Sequence, residues 1–454
     1  MSKLPPLTRL TGWGRTAASG ASLLPVSTAN IARSADMARQ RGALVRGLGR
    51  SYGDAAQNGG GLVMRLAGSA GEAMLDEAKH EVTVGGGVSI DDLLRVLVPR
   101  GFFVPVTPGT RFVTIGGAIA SDIHGKNHHG EGSFGHHVRR ISLLLADGST
   151  AELGPTQRSD LFWATIGGMG LTGVVLEATI HVWPIETSRC IVDTTRAHDL
   201  DHILTMMEEG DHRYRYAVAW IDLMAKGRHL GRSILSRGDH ATADQLTGPA
   251  LDAPRAYSPR ILVSVPPIVP ISVVNRLSIK VFNELWFRKA PLYRTAELQT
   301  IPQYFHPLDM VGSWNRLYGP AGFVQYQILV PFGEEDALRR VIERLASSGA
   351  ASFVTVLKRF GAANPAPLSF PAPGWTLTLD IPASTGGLST MLHQLDHVVL
   401  DAGGRHYMAK DSHTTPQAIK RGYPRLAEWQ AIRNQADPNG RWQSDLGRRL
   451  GLIT

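Results

Sequence analysis

Short apolar runs separated by glycines fill residues 42 to 185, and each run has about the length of a β-strand. The segments ALVRGLG, HEVTVGGGVS and GVVLEATIHVWP are examples. Between them, Ser89 to Val98 (SIDDLLRVLV) begins with a serine and two acids and continues with apolar residues at helical spacing. This pattern predicts an N-capped amphipathic helix. The N-terminal part is therefore predicted to be α+β rather than an all-β sandwich.

Beyond about residue 188 the glycine clusters become rare and longer mixed segments take their place. Helical spacing of apolar residues predicts helices at Asp199 to Glu209 and at Glu334 to Ser347. Strands are predicted at Phe323 to Val330 and at Thr376 to Ile381. We interpret this change of composition as a domain boundary.

A proline-rich piece from Ala253 to Pro270 has linker-like composition. Because it is apolar yet broken by prolines, it is either a core connection or a loop at the entrance of an apolar ligand. The most apolar stretch, Ile261 to Val274, is shorter than the ~18 residues of a membrane-spanning helix, and the N-terminus has no secretory apolar run. These features predict a protein that is cytoplasmic or peripheral at the inner membrane.

The composition is that of a packed protein with two or three domains, because 43% of the 454 residues are hydrophobic and 19% are charged. A net charge of +8 favours an anionic partner such as a phosphate, a nucleic acid or an anionic membrane surface. The basic residues are dispersed and match no recognised reader motif, so nucleic-acid binding is disfavoured. The single cysteine, Cys190, excludes an intramolecular disulfide and a cysteine-based zinc site.

Four glycine clusters carry the first functional signal. They lie at residues 47 to 53, 85 to 87, 108 to 117 and 167 to 173. The first has the spacing GxGxxxG with no helical pattern after it, which disfavours a Rossmann site, and no P-loop motif occurs. Any one cluster is typical of a hairpin turn. Together, such turns can bring backbone N–H groups onto an extended polyanion such as the pyrophosphate of a dinucleotide.

Motifs around these glycines resemble those of the vanillyl-alcohol-oxidase type of FAD-binding flavoproteins. They are Val45 to Ala55 (VRGLGRSYGDA), Pro108 to Gly117 (PGTRFVTIGG), Ser121 to His129 (SDIHGKNHH) and Phe162 to Gly173 (FWATIGGMGLTG). The chain is similar to the branch of that family that oxidises polyprenylphosphoryl ribose, through Tyr304 to Met310, Trp314 to Gln327, Ala366 to Trp375 and Tyr407 to Ser412. The resemblance covers nearly the whole chain in order.

This resemblance implies a two-domain FAD-binding fold of the PCMH type, with an inserted substrate domain built on an antiparallel sheet. The implied segments are an FAD-binding domain at 1–187, a substrate-binding domain at 188–404 and a C-terminal segment at 405–454 that completes the FAD domain. The resemblance also implies that the FAD is noncovalent. Relatives that attach FAD covalently have a histidine in the RGxGxS turn, whereas this chain has Arg50 there and no histidine from 45 to 55.

The resemblance assigns cofactor contacts to the glycine-rich turns and to two residues near the flavin. The implied cofactor-binding residues are Arg46, Gly47, Leu48, Gly49, Arg50, Ser51, Tyr52, Gly53, Asp54, Ala55, Gly109, Thr114, Ile115, Gly116, Gly117, Ser121, Asp122, Ile123, His124, Val175 and Tyr407.

Two residues are implied to be catalytic, Lys410 and His124. Lys410 would act as a base or as a ligand of a hydroxyl or phosphate, with its pKa lowered by a cationic site; a solvated surface lysine is the alternative. His124 would orient the reacting hydroxyl or help to move its proton. The implied substrate-binding residues are Lys126, Gln325, Gln327, Lys358, Thr378 and Lys410.

Gln325 and Gln327 lie two apart in a strand-like segment, so both project to one face, which suits the hydroxyls of a sugar. A solvent-exposed strand face is the alternative for such alternating polar residues. At Thr378 the chain departs from mycobacterial relatives, which have a cysteine there, so inhibitors that attach covalently to that thiol are expected to lose their target.

No metal site is expected, although five histidines cluster near residue 130. Gly125 and Gly130 interrupt any helix that would pair His124 with His128, and no acidic residue stands at zincin spacing. The remaining histidines of this group are His129, His136 and His137.

The implied reaction is the FAD-dependent oxidation of the 2′-hydroxyl of a polyprenylphosphoryl-β-D-ribose to the 2′-keto sugar. It is the first step of an epimerisation that yields the arabinose donor for cell-wall polysaccharide. The implied partners are a quinone-like electron acceptor, an NAD(P)H-dependent keto-sugar reductase and a membrane surface. Two alternatives are a same-fold oxidase of soluble alditols, sugars or aldonolactones, and a non-catalytic lipid-phosphate binding protein.

Overall fold

A computed structural model describes residues 4–68, 70–270, 272–350, 352 and 354–453. Its first part contains β1 (Leu7–Thr11), β2 (Ala18–Val26), α1 (Ile31–Ala35), β3 (Ala43–Arg46), β4 (Leu62–Leu66), β5 (Met74–Asp76), β6 (Glu81–Gly85), α2 (Ile90–Leu97), β7 (Phe102–Phe103), α3 (Ile115–Ala120), α4 (His128–Glu131), β8 (Val138–Leu144), β9 (Thr150–Leu153), α5 (Ser159–Thr165), β10 (Val174–His181) and β11 (Trp183–Pro184).

Two larger sheets and a two-stranded sheet of β7 and β11 form this first part. A mixed sheet has the strand order β1-β2-β4-β3, and an antiparallel sheet has the order β5-β6-β10-β8-β9. Helix α2 begins where the sequence predicts, because the side chain of Ser89 accepts the backbone N–H of Asp92. Its apolar face joins the core of the antiparallel sheet through Leu93, Leu94 and Leu97.

The second part contains β12 (Arg189–Ala197), α6 (Leu200–Gly210), β13 (Tyr216–Ile221), β14 (Ser233–His240), β15 (Val263–Ser264), α7 (Arg276–Lys289), β16 (Tyr293–Thr300), α8 (Ile301–Phe305), β17 (Val311–Gly312), β18 (Phe323–Pro331), α9 (Glu335–Ser348), β19 (Thr355–Phe360), β20 (Gly374–Pro382), α10 (Leu388–Asp401) and β21 (Arg405–His406). The predicted helices at 199–209 and 334–347 and the predicted strands at 323–330 and 376–381 are confirmed within one or two residues. Asp199 caps α6 by accepting from His202.

An eight-stranded antiparallel sheet with the order β16-β12-β14-β13-β19-β20-β18-β21 organises this part. One face packs on α6, α9 and α10 through residues such as Tyr326, Ile328 and Leu377. The alternate residues of the same strands, which include Gln325, Gln327 and Thr378, face a large cavity. The period of two along each strand thus separates a hydrophobic core from a ligand-facing surface.

The C-terminal part contains α11 (Pro416–Gly422), α12 (Leu426–Ala436) and α13 (Asp445–Arg449). These helices pack back onto the first part of the chain: the indole of Trp429 donates to the carbonyl of Ala164 over 2.8 Å, and Trp442 forms a bridge to Ala43. Strand β21 pairs with β18, so the large sheet continues just past residue 404. Among the described residues, no helix is long and apolar enough to cross a membrane.

Candidate active site

A cavity of about 1600 Å³ lies between the glycine-rich turns of the first part and the open face of the eight-stranded sheet. Sites for drug-sized ligands are typically about 300 to 1000 Å³. The cavity is therefore large enough for a dinucleotide together with a second molecule. Glycines from all four predicted clusters line it: Gly47, Gly49, Gly86, Gly87, Gly109, Gly116, Gly117, Gly170 and Gly173.

The glycine wall fits a cofactor that approaches the backbone closely. At Gly86, a Cβ would lie 2.0 Å from the carbonyl oxygen of Val175, so glycine is required there for the turn to pack on β10. At Gly109, a Cβ would meet nothing within 4 Å, which leaves space on the cavity side. Thr114 caps α3 by accepting from the N–H of Gly117 over 3.2 Å.

We expect a Gly109→Val variant to fold but to lose FAD affinity by about tenfold or more, because the added methyl groups would occupy cofactor space. Gly386→Val is the matched control, since Gly386 is exposed and a Cβ there also meets nothing within 4 Å. Titration of the apoprotein with FAD, followed by flavin fluorescence, measures the effect. Equal affinity of the two variants would contradict the assignment of this turn to the cofactor.

Most of the predicted cofactor contacts line the cavity. They are Gly47, Leu48, Gly49, Arg50, Ser51, Tyr52, Ala55, Gly109, Thr114, Gly116, Gly117, Ser121, Ile123, His124, Val175 and Tyr407. Five others lie behind the cavity wall: Arg46, Gly53, Asp54, Ile115 and Asp122.

These five residues support the wall instead of facing the cavity. The guanidinium of Arg46 donates to the carbonyls of Thr11 and Ala56, each over 2.8 Å, and Ile115 is part of the hydrophobic core. Asp122, with φ +39°, accepts from Ser133, Ser369, Asn364 and the N–H of Gly135. A motif of adjacent residues does not show which members point inwards, and this explains why the sequence prediction included them.

Lys410 follows β21 in a turn that lines the cavity. Its amine lies 4.1 Å from the centre of the Tyr52 ring, and burial lowers its pKa to about 8, partly offset by the charge of Asp380. The alternative of a solvated surface lysine is therefore wrong. The sequence prediction named a cationic site as the cause of a lowered pKa, but the cause is desolvation.

The turn that carries Lys410 is fixed by two contacts to the first part of the chain. The N–H of Tyr52 donates to the carbonyl of Ala409 over 3.0 Å. Arg449 pairs with Asp411 at 2.9 Å and with Asp54 at 2.7 Å. Asp54, in the loop at residues 50–54, is thus joined through Arg449 to the turn that carries Lys410. The sequence prediction assigned Asp54 to cofactor contact and did not consider this positioning role.

His124 is buried at the junction of the cofactor wall and the sheet. The amide nitrogen of Gln327 donates to Nε2 of His124 over 2.9 Å, which places the ring proton on Nδ1. No described residue accepts from that Nδ1. Burial, followed by the charge of Lys358, holds the pKa of His124 well below its usual range, so the ring is neutral at physiological pH.

Two further lysines line the same cavity. Lys126 donates to the carbonyl of Tyr304 and lies 3.9 Å from the centre of its ring, whereas the Lys358 amine is 3.4 Å from the carbonyl of Gly125. Burial lowers the pKa of each to about 7. Neither amine forms an ion pair with a residue that the structure describes, so an anion bound between them would favour their charged forms.

Gln325 and Gln327 project into the cavity from β18, whose residues are nearly all buried. The alternative of a solvent-exposed strand face is therefore wrong. Gln325 donates to Asp380, and burial raises the pKa of that carboxyl to about 7. The sequence prediction did not name Asp380 as a site residue, although it is the aspartate that ends the PGWxxxxD segment at residues 373–380. The alternation of Thr376, Thr378 and Asp380 on a predicted strand was the signal that could have found it.

Thr378 lines the cavity beside these glutamines, as the sequence places it. We expect a Thr378→Cys variant to take up one equivalent of a small maleimide, whereas the natural chain takes up none. Cys190 is the internal control, because it is fully buried and burial raises the pKa of its thiol. Mass spectrometry of the labelled protein measures the result, and labelling of the unaltered chain would contradict it.

The histidines near residue 130 have separate roles. His129 contacts the carbonyl of Tyr214, and His137 contacts the carbonyl of Glu131, each over 2.9 Å. His128 lies against the ring of Phe360, and the His136 ring accepts the N–H of Ser133. Within the described ranges, no group of three or more His, Cys, Asp or Glu side chains is placed to hold a metal ion.

A glycine-lined cavity closed by an antiparallel sheet fits the class of FAD-binding flavoproteins. The FAD binding domain family matches residues 20–154, and the D-arabinono-1,4-lactone oxidase family matches residues 334–450. The decaprenylphosphoryl-beta-D-ribose oxidase of Mycolicibacterium smegmatis is 46% identical over 451 residues, which cover 98% of each chain. The chain belongs to the family of that oxidase, within the FAD-dependent oxidoreductases.

Two further relatives show how the similarity is distributed. An uncharacterised protein of Streptomyces coelicolor is 38% identical over 375 residues, which are 80% of this chain and all of that protein. The alditol oxidase of a Streptomyces species is 30% identical over 144 residues, or 32% of this chain and 34% of that protein. The chain therefore shares only part of its length with an oxidase named for a soluble polyol.

Proposed function

We propose that this protein oxidises the 2′-hydroxyl of a polyprenylphosphoryl-β-D-ribose to the 2′-keto sugar. The observation that carries the proposal is the grouping of three half-buried lysines in one glycine-lined cavity. Lys410 has a pKa suited to a base, and Lys126 and Lys358 are suited to a phosphate. The similarity to the Mycolicibacterium oxidase over almost the whole chain supports the same substrate class.

Oxidation of a secondary alcohol removes a hydride and a proton. Bound FAD would accept the hydride. It would be held noncovalently, because the RGxGxS turn at residues 46–51 has Arg50 where a histidine would attach the cofactor. The neutral amine of Lys410 would take the hydroxyl proton. Neutral His124, fixed by Gln327, would orient the reacting hydroxyl.

The substrate would lie across the open face of the sheet. Its phosphate would bind Lys126 and Lys358, and its ribose hydroxyls would bind Gln325 and Gln327. Thr378 would border the sugar. The prenyl chain would follow the apolar part of the lining, which includes Val218, Trp220, Ile234 and Val356.

Two partners follow from the chemistry of this reaction. The reduced flavin has to be reoxidised after each turnover, and we propose a quinone-like acceptor for this step. The keto sugar has to be reduced from the opposite face to complete an epimerisation, and we propose a separate NAD(P)H-dependent reductase for it. Because the substrate is a lipid, the reaction would take place at a membrane surface.

An oxidase of soluble alditols, sugars or aldonolactones is the second candidate. It is favoured by the match of residues 334–450 to the D-arabinono-1,4-lactone oxidase family and by the partial similarity to alditol oxidase. The half-buried pair Lys126 and Lys358 argues against it, because an uncharged polyol would not offset the cost of desolvating two amines.

Anaerobic flavin reduction separates the candidates. Purified protein is expected to be yellow, to release FAD on acid precipitation, and to bleach on addition of a short-prenyl phosphoryl-β-D-ribose. Bleaching by free alditols or lactones, with none by the phosphoryl-ribose, would replace the proposal with the soluble-sugar oxidase. A colourless protein that cannot be reconstituted with FAD would favour the lipid-phosphate carrier instead.

A further inference from the structure

The solvent-exposed apolar side chains of this protein are concentrated in one part of the chain. Among the residues that the structure describes, 17 large hydrophobic residues are exposed, and 13 of them lie between Leu251 and Tyr293. This stretch contains the proline-rich piece and α7. Scattered exposed apolar residues are normal, but a concentration of this kind marks an interaction surface.

Helix α7 buries one apolar and one polar residue, Ile279 and Asn283, and leaves most of its other apolar side chains exposed. The amide of Asn283 donates to Asp222 over 2.7 Å, and the neighbouring Glu284 accepts from Arg232 over 2.7 Å. On the other side, Leu277, Val281 and Leu285 form a stripe at a spacing of four residues, and they are 72%, 52% and 64% exposed. On an ordinary surface helix, an apolar stripe of this kind packs against the protein.

The same stretch is basic. Residues 251–293 contain six Lys and Arg and two acidic residues, a net charge of +4, which is half of the +8 of the whole chain. On α7, Arg276 and Lys280 are exposed beside the apolar stripe. Basic side chains that flank an exposed apolar helix face are complementary to a surface that is both anionic and apolar, which is an anionic lipid bilayer.

The exposed stretch is continuous with the mouth of the cavity. Trp286 and Lys289 at the end of α7 line the cavity, as does Ile261 of the proline-rich piece. Strand β15, within that piece, is held by parallel pairing with β17. A lipid surface seated on α7 would thus meet the cavity at its opening.

We propose that α7 is a membrane-docking helix, with Leu277, Val281 and Leu285 inserted between the headgroups of an anionic bilayer. Arg276 and Lys280 bind the lipid phosphates. The docked orientation opens the cavity towards the bilayer, so that a prenyl chain passes from lipid to protein without crossing water. The identity of the lipid substrate rests on the proposed function, whereas the docking itself does not.

Co-sedimentation of the FAD-loaded protein with vesicles tests the docking. The protein is expected to bind vesicles of equal parts phosphatidylglycerol and phosphatidylcholine, and to bind pure phosphatidylcholine vesicles more weakly. The variant Leu277→Ser/Val281→Ser/Leu285→Ser is expected to lose at least about tenfold in partitioning. Leu7→Ser/Met74→Ser, at exposed positions outside the stretch, is the matched control and should bind normally.

The charge contribution is tested with Arg276→Glu/Lys280→Glu. This variant is expected to lose its preference for phosphatidylglycerol and most of its salt dependence. The docking proposal is overturned if the natural protein stays in the supernatant at low salt, or if the triple serine variant partitions as well as the natural protein. It is also overturned if the natural protein self-associates without vesicles and the triple variant is monomeric, because the stripe is then a dimer interface.

Flavin bleaching separates this proposal from the proposed function. The triple serine variant should be bleached normally by the short-prenyl substrate in solution, but at least about tenfold more slowly by a long-prenyl substrate embedded in vesicles. Equal rates with the embedded substrate would contradict delivery through α7. If neither substrate bleaches the natural protein, the proposed function fails while vesicle binding still decides the docking.

Discussion

Replacement of Lys410 by methionine is expected to slow anaerobic flavin reduction by about 10²- to 10⁴-fold, the usual contribution of a positioned base. The variant should still bind FAD, because the glycine turns and Tyr407 line the cavity independently of the amine. Methionine fills a similar volume and removes the cost of a buried charge, so we expect folding to be retained. Rapid-mixing absorbance of the oxidised flavin band measures the rate.

Lys420→Met is the matched control, because Lys420 is exposed on α11 ten residues further along the chain. Its flavin reduction rate should equal that of the natural protein. A Lys410→Met variant that reduces its flavin at the natural rate, with FAD bound, would remove Lys410 from the chemistry.

The pH dependence gives a second readout for Lys410. A base acts as the neutral amine, and burial lowers its pKa to about 8. The limiting rate at saturating substrate should therefore rise with pH, about tenfold per unit below that value, and level off above it. In Lys410→Met this rise should disappear, whereas loss of a merely structural contact would leave it in place.

The sequence predicted those elements of the fold that are specified by residues close together in the chain. Ser89 and Asp199 are caps that begin α2 and α6, and the alternation of residues along β18 placed Gln325 and Gln327 on one face. The parallel pairing of β4 with β2 and β3 joins segments distant in sequence, and no local pattern specifies it.

The candidate site was predicted less completely, for two physical reasons. Burial depends on the whole fold, so the sequence could not show that desolvation governs the pKa of Lys410, nor that Asp380 stands beside it. Which face of a helix packs on the protein also depends on the whole fold. The pattern of α7 is amphipathic in either orientation, and only the contacts of Asn283 and Glu284 show that its apolar side faces solvent.

Substitution of Lys126 and Lys358 by methionine is the second prediction with a large expected effect. Each single variant is expected to weaken binding of a short-prenyl phosphoryl-ribose by roughly 10- to 100-fold, which corresponds to a charged hydrogen bond. Binding of the uncharged prenyl riboside should change little. Titration of the flavin spectrum by each ligand measures both affinities, and Lys226→Met, at an exposed position, is the matched control.

The pH dependence of this binding has the opposite sign to that of the chemical step. Burial lowers the pKa of both lysines in the free protein to about 7, and a phosphate binds the charged amines. Affinity for the phosphorylated ligand should therefore fall as the pH rises through 7, while the limiting rate still rises towards 8. Because two amines have to be charged and one neutral, the ratio kcat/KM should pass through a maximum near pH 7, and in the double variant Lys126→Met/Lys358→Met the falling limb should vanish. A phosphorylated ligand that binds this double variant as tightly as the natural protein would show that its phosphate lies elsewhere in the cavity.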